Sequence, residues 1–211
     1  MDTTAPKRSR IQIANRASIV EAALAVFSSE GYRGATIDAI AAQAGMSKPN
    51  LLYYFKTKED IYREVLESTV EGWLEPFSAI DADGDPVEEL KRYIILKIRM
   101  SRDHPEASRL FANEIGRGAP ISGHFLNTRL RELVTEKASV IQSWMDADKL
   151  RPVDPFHLIF VIWATTQHYA DFEVQVRALV GEKAEDDGFY EDAATAVLSI
   201  ILGGIEPKEG S

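Results

Sequence analysis

Residues 36–58, TIDAIAAQAGMSKPNLLYYFKTK, constrain this chain more than any other stretch. Thr36 is an N-cap residue type, and Ile37, Ile40, Ala41 and Ala44 follow at helical spacing. Gly45 falls where that helix must stop, in a position suited to left-handed backbone angles. Ser47 caps a second helix, and Pro49 lies in its first turn, where a missing N–H costs nothing. Leu51, Leu52 and Phe55 can bury one side, while Lys48, Asn50, Tyr53 and Tyr54 keep polar ends available on the other. Ala41, Ala42, Ala44 and Gly45 are small, so the two helices can approach closely. Two short helices joined in this way make a helix-turn-helix, whose second helix enters a DNA major groove. The alternative is an ordinary helical hairpin with a solvated face. The agreement of cap, glycine turn, second cap and N1-type proline in so few residues argues against it.

A net charge of −9 over 211 residues speaks against nucleic acid until its distribution is read. Residues 1–63 hold nine Lys/Arg and six Asp/Glu, whereas residues 64–211 hold fifteen and twenty-seven. A mildly basic N-terminal module is therefore joined to a strongly acidic body, and only the first part suits phosphates. The chain has no cysteine, which excludes disulfides and thiolate metal sites. No basic-then-apolar signal opens it and no apolar run suggests a membrane span, so the expected compartment is the cytoplasm.

In chain order, residues 1–12 form an expected flexible basic arm in which Lys7, Arg8 and Arg10 can touch DNA or be merely solvated. A helix then runs to Glu30 with Ile19, Ala22, Ala23, Val26 and Phe27 on one stripe, and Gly31 ends it. With the helix-turn-helix it forms a three-helix DNA-binding domain over residues 13–60. Thr57 caps the next helix, which carries Glu59 and Asp60 in its first turn and links the module to a body of residues 61–211. Pro76 should kink or end it. Further helices are expected over residues 87–103, 106–115, 125–148 and 155–179, with a last one over 189–202 that stops at Gly203-Gly204. Inward positions on the first of these are Leu90, Ile94, Ile98 and Met100. No strand alternation and no internal repeat appears, so the fold class is all-α.

The run ALAVFSSEGYRGATIDAIAAQAGMSKPNLLYYFKTKEDIYREVL resembles the TetR family of transcriptional repressors, through its Gly–Tyr turn, Thr cap, A-x-x-A-G-M-S turn and L-Y-Y-F-x-x-K-E run. In the body, SRDHPEASRLFANEI, GAP and HLIFVIWATTQHYADF are similar to the pyrimidine-utilisation regulators of that family. The resemblance covers nearly the whole chain. It implies a homodimer formed through the last two helices, a near-palindromic double-stranded operator, release by uracil or thymine, and no cofactor. A repressor of an unrelated pathway, such as efflux of hydrophobic compounds, stays open as the alternative; a helical enzyme is a further class, and a structural helical adaptor another that explains the acidic body but not the helix-turn-helix.

On the DNA side, Lys48 and Asn50 near the start of the second helix can reach base edges, and Pro49 offers an apolar contact to a thymine methyl. Thr36 and Ser47 lie at helix N-termini, where N–H groups and dipole favour an anion. The resemblance implies phosphate contacts for Tyr53, Tyr54 and Lys58. Phe55 is better read as core.

On the ligand side, Trp163, Thr166, Gln167 and Ala170 share one helix face. Gln167 presents donor and acceptor together, matching the alternating N–H and C=O edge of a uracil-like base. Trp163 and Trp73 offer flat surfaces for a ring, with Phe77 and Phe111 as further walls. Each tryptophan alone is more often core than a ligand contact, but Gln and Thr within an apolar helix shift that balance because buried amides need partners, and Gln167 or His168 can instead serve a subunit interface. His104, His124, His157 and His168 are scattered, and the chain carries no P-loop, dinucleotide fingerprint, nucleophile elbow or zinc spacing, which argues against an enzyme.

Overall fold

The computed structural model describes residues 10–186 and 188–207, and every regular element among them is a helix. Lys7 and Arg8 of the expected arm lie outside the described residues. Two compact units emerge, Met1–Ser68 and Thr69–Ser211.

The first unit opens with α1, Arg10–Gly34. Residues 10–12, assigned to the arm from sequence, are helical. Its buried stripe is Ile19, Ala22, Ala23, Val26 and Phe27, and Gly31 leaves helical geometry at φ 68°, ψ 168°. Helices α2, Ile37–Gln43, and α3, Lys48–Tyr54, follow. Between them Met46 N–H bonds to Ala41 O at 3.0 Å and Gly45 N–H to Ala42 O at 3.1 Å, a Schellman closure that requires the φ of 65° at Gly45. Helix α4, Lys58–Ser78, passes through Pro76 and ends two residues later. The first compact unit extends to Ser68, and Ile61, Tyr62, Val65 and Leu66 of α4 are buried. Edge contact between Phe27 and Tyr62, with centroids 4.9 Å apart, ties α1 to that segment.

The second unit contains α5, Pro86–Asp103, and α6, Pro105–Gly116. Helix α7, Gly123–Phe125, runs through a π turn at Leu126–Leu130 into α8, Arg131–Asp146. Helices α9, Pro155–Asp171, α10, Glu173–Val180, and α11, Gly188–Ile205, complete it. Asp85 and Asp154 cap α5 and α9 through side-chain acceptors, each followed by an N1 proline. The core gathers Leu74, Phe77, Leu90, Ile94, Ile98, Ile141, Trp144, Ile159, Ile162 and Ile201.

Three helical expectations are corrected. The helix foreseen over 155–179 breaks at Phe172, which sits at φ −117°, ψ 30°. On either side of the break, Asp171 accepts from the Ser108 hydroxyl and Glu173 pairs with Arg109, so both flanks are tied to α6. The last helix does not stop at Gly203-Gly204 but runs to Ile205, which is buried and accepts the Arg151 N–H at 2.7 Å. Met100 is only half-buried, and the inward stripe of α5 runs instead through Tyr93, Lys97 and Ser101 beside Leu90, Ile94 and Ile98. Contrary to the sequence reading, α11 is long and apolar enough to cross a membrane, at 18 residues and mean hydropathy 1.2. One of its sides packs Val197, Ile201, Leu202 and Ile205 into the core.

Candidate nucleic-acid interface and effector cavity

In the first unit, Ser47, Lys48, Pro49 and Asn50 are all exposed at the start of α3. The Ser47 hydroxyl accepts from Asn50 N–H at 3.4 Å, and the Thr36 hydroxyl accepts from Ala39 N–H at 3.1 Å. Each cap uses a lone pair, so both hydroxyl protons remain to donate to an anion. Lys48 Nζ pairs with Asp38 of α2 at 2.8 Å, an exposed ion pair that competes with any base contact.

Tyr53 and Tyr54 pack edge to face, with centroids 5.2 Å apart. Gln12 Nε2 donates to Tyr53 Oη at 3.2 Å, and Asn15 Nδ2 donates to Tyr54 Oη at 2.8 Å. Because each phenol oxygen accepts from an α1 amide, its own proton points elsewhere and stays a donor. Sequence reading missed this support from Gln12 and Asn15, since both look like ordinary exposed helix residues. Lys58 is half-buried: its Nζ donates to Tyr32 O at 2.7 Å and Ala35 O at 2.8 Å and lies 4.8 Å from the Tyr32 ring centroid. Two of its three donors close carbonyls after α1, and one is left for a phosphate. Phe55 is buried beneath the Arg16 guanidinium, 4.1 Å from its ring centroid.

In the second unit, a cavity of about 50 Å³ lies between α4, α5, α6 and α9. Trp73, Phe111, Trp163 and Gln167 all line it, together with Tyr93, Lys97 and apolar side chains. Trp73 and Phe111 meet at 86° with centroids 5.5 Å apart. Phe77 does not line the space; it backs the wall, 5.1 Å from the Tyr93 centroid and 6.0 Å from Trp163. Thr166 is fully buried with its hydroxyl donating to Ile162 O at 2.7 Å, so it faces its own helix backbone and not the cavity. A larger open groove of about 400 Å³ at Glu71, Leu74, Glu75, Ser78, Ala79 and Arg129 lacks an aromatic wall, so the aromatic-lined cavity is the stronger candidate for a planar ligand.

Tyr93 and Lys97 were not legible as site residues, because polar types on a helix read as solvated. Their one signal was i, i+4 spacing beside the Leu90–Ile94–Ile98 stripe. Trp163 Nε1 donates to Tyr93 Oη at 2.7 Å, and burial pushes the Tyr93 phenol well above its usual range. Lys97 is 4% exposed, with its ammonium 5.1 Å from the Trp73 ring centroid. Burial pulls its pKa down to about 8 while the field of Asp171 opposes that shift. Asp171 is itself pushed up by burial, against the Ser108 hydroxyl bond and the Lys97 charge. His168, considered as an interface residue, is exposed and stacks on Phe172 with centroids 5.0 Å apart.

The helix-turn-helix module matches the family described as bacterial regulatory proteins, tetR family, over residues 19–65. Residues 66–208 match the family described as YcdC-like protein, C-terminal region. The chain belongs to the TetR family of bacterial transcriptional regulators. This TetR-family chain is 45% identical over 205 residues to the HTH-type transcriptional regulator RutR of Escherichia coli strain K12, covering 97% of each. It is 31% identical over 100 residues to the HTH-type transcriptional repressor NicS of Pseudomonas putida, 47% of each chain. Among solved structures it is similar in fold to the ketosteroid transcriptional regulator KstR2 of Mycobacterium tuberculosis, with a TM-score of 0.71 at 20% identity over 98% of this chain and 100% of that one. A second is AibR in complex with isovaleryl coenzyme A and operator DNA, with a TM-score of 0.69 at 17% identity over 88% and 97%. Regulators of the TetR family bind operator DNA and small-molecule effectors.

Proposed function

We propose that this regulator is a cytoplasmic homodimeric repressor of pyrimidine-utilisation genes, released from its operator by uracil or thymine. The observation that carries the reading is the cavity wall, which Trp73, Trp163 and Gln167 share. Gln167 has no hydrogen-bond partner among the described residues, so a ligand edge with one N–H and one C=O would satisfy its amide. Identity to RutR, the pyrimidine utilisation regulator, over nearly the full chain supports the same effector class.

The α3 face of Lys48, Pro49 and Asn50 would read base edges, while Thr36, Ser47, Tyr53, Tyr54 and the remaining Lys58 donor would hold phosphates. Lys7, Arg8 and Arg10, at and before the start of α1, would add basic contacts at the DNA. Dimerisation through α9 and α11 is supported by exposed apolar residues on them, with Phe156 42%, Phe160 51%, Val161 47% and Ile200 75% exposed. Gly203 and Gly204 lie in open space on α11 and would let a second copy approach closely. Two such modules, about 34–36 Å apart, fit a near-palindromic operator. Effector binding would favour the conformer with lower DNA affinity.

Calorimetry of uracil against wild type and Gln167→Ala, with operator titrations alongside, is the test. Wild type should bind uracil and release operator. The variant should lose roughly tenfold or more in uracil affinity while holding operator normally. No heat with wild type removes the pyrimidine reading; collapse of operator binding in the variant would instead assign Gln167 to the subunit interface.

A further inference from the structure

The cavity has a polarity of its own, set mainly by a residue on α5. Lys97 sits on its wall and is 4% exposed. Among the described residues its ammonium makes no hydrogen bond or ion pair; it lies over the face of Trp73, 5.1 Å from the ring centroid. An ammonium is a donor with no acceptor capacity, and at the cavity wall its protons are available to a ligand acceptor. Tyr93 adds to the same sign. Its oxygen already accepts the Trp163 N–H at 2.7 Å, so what it has left is an O–H donor. Asp171, the carboxylate whose field reaches Lys97, is engaged by the Ser108 hydroxyl and does not line the cavity. Only Gln167 contributes an acceptor among the polar side chains of the wall.

We propose that Lys97 selects the effector by hydrogen-bond polarity: the cavity accepts a ring presenting a carbonyl oxygen to the ammonium and rejects one presenting an amino group there. This rests on the reading of the cavity as a pyrimidine site. A 2,4-dioxo ring supplies two acceptors with an N–H between them, which matches two donor groups and the Gln167 carbonyl. A 4-amino-2-oxo ring turns one of those acceptors into a donor, and donor then faces donor. A mismatch of this kind is a stronger filter than a lost methyl, because two donors are left facing each other without a bond. The small volume of about 50 Å³ favours a free base over a nucleoside.

The experiment is calorimetry of uracil, cytosine and uridine against the full chain, as wild type and as Lys97→Met, a substitution of similar length without donors. Wild type should prefer uracil over cytosine by about tenfold or more and give no heat with uridine, by the penalty for an unpaired buried group. Lys97→Met should lose about tenfold in uracil affinity, with the preference over cytosine falling to within a few-fold. Equal wild-type affinities for uracil and cytosine overturn the assignment without recourse to any variant. So does a folded Lys97→Met that keeps the wild-type affinity and ratio. No heat from either base with wild type overturns the pyrimidine reading itself, and this assignment with it.

Discussion

The guanidinium of Arg16 grips the carboxylate of Glu64 at two points, Nε to Oε1 at 2.8 Å and Nη2 to Oε2 at 2.6 Å. The same guanidinium donates to Tyr54 O at 3.4 Å and covers the Phe55 ring. One side chain of α1 thus fastens both the end of α3 and the start of α4. Side-chain exposure of 22% and 31% screens the ion pair, so Glu64→Gln should cost only about 1 kcal/mol of stability. Arg16→Ala also removes the packing on Phe55 and should cost about 2 kcal/mol. Denaturant unfolding of the two variants measures this; equal losses would show that the ion pair, not the stacking, dominates.

Base readout follows from the exposed start of α3. Lys48→Ala or Asn50→Ala should weaken specific operator binding by about 1–3 kcal/mol and relax preference at one or two positions. Asp38→Asn should act in the opposite direction, because it frees Lys48 from its 2.8 Å partner and removes a negative charge beside the DNA. Binding titrations across operator variants decide between these; an unchanged profile in both the Lys48 and Asn50 variants would remove α3 as the reader.

Phosphate positioning by the tyrosines has a separate signature. Tyr54→Phe should weaken operator and random DNA alike, and leave the salt slope unchanged because no cation is lost. Asn15→Ala should reproduce part of that loss, since its amide orients the Tyr54 hydroxyl at 2.8 Å. A Tyr54→Phe protein with altered base preference in salt-dependent titrations would place that residue among the base readers instead.

What was legible in the sequence were the local devices. The caps Thr36 and Ser47, the positive φ of Gly45, and the Asp154-Pro155 start of α9 depend on neighbours in the chain, and each sits in the structure as its residue type requires. What was not legible depended on distant partners. Phe172 breaks a helix whose apolar pattern runs on, because Asp171 and Glu173 are tied to α6 residues about sixty positions earlier. Gly203-Gly204 reads as a stop, yet the helix continues because Ile205 has a buried place to go. Tyr93 and Lys97 gave no sign of burial, since nothing local says that α9 will cover them. Thr166 illustrates the converse: its hydroxyl looked like a ligand contact and is engaged by its own helix.

The buried Lys97 also makes a prediction about pH. Its proton is held at about 8 in the folded protein against 10.5 for an ordinary lysine. Between those values the unfolded chain keeps the proton and the folded chain has lost it, so folding stability gains as pH rises through that window. Below about 8 both states carry the charge and the full penalty of burying it is present. Asp171 lessens that penalty through its field, and Tyr93, shifted upward, stays neutral throughout. Lys97→Met removes the charge altogether and should be more stable than wild type at pH 7. That advantage should shrink steadily from pH 8 towards pH 10, as the wild-type lysine becomes neutral. Thermal unfolding of both proteins, without effector, over this range is the measurement. A stability difference that stays constant from pH 7 to pH 10 would mean that Lys97 titrates like a solvent-exposed lysine and that the cavity is wetter than its walls suggest.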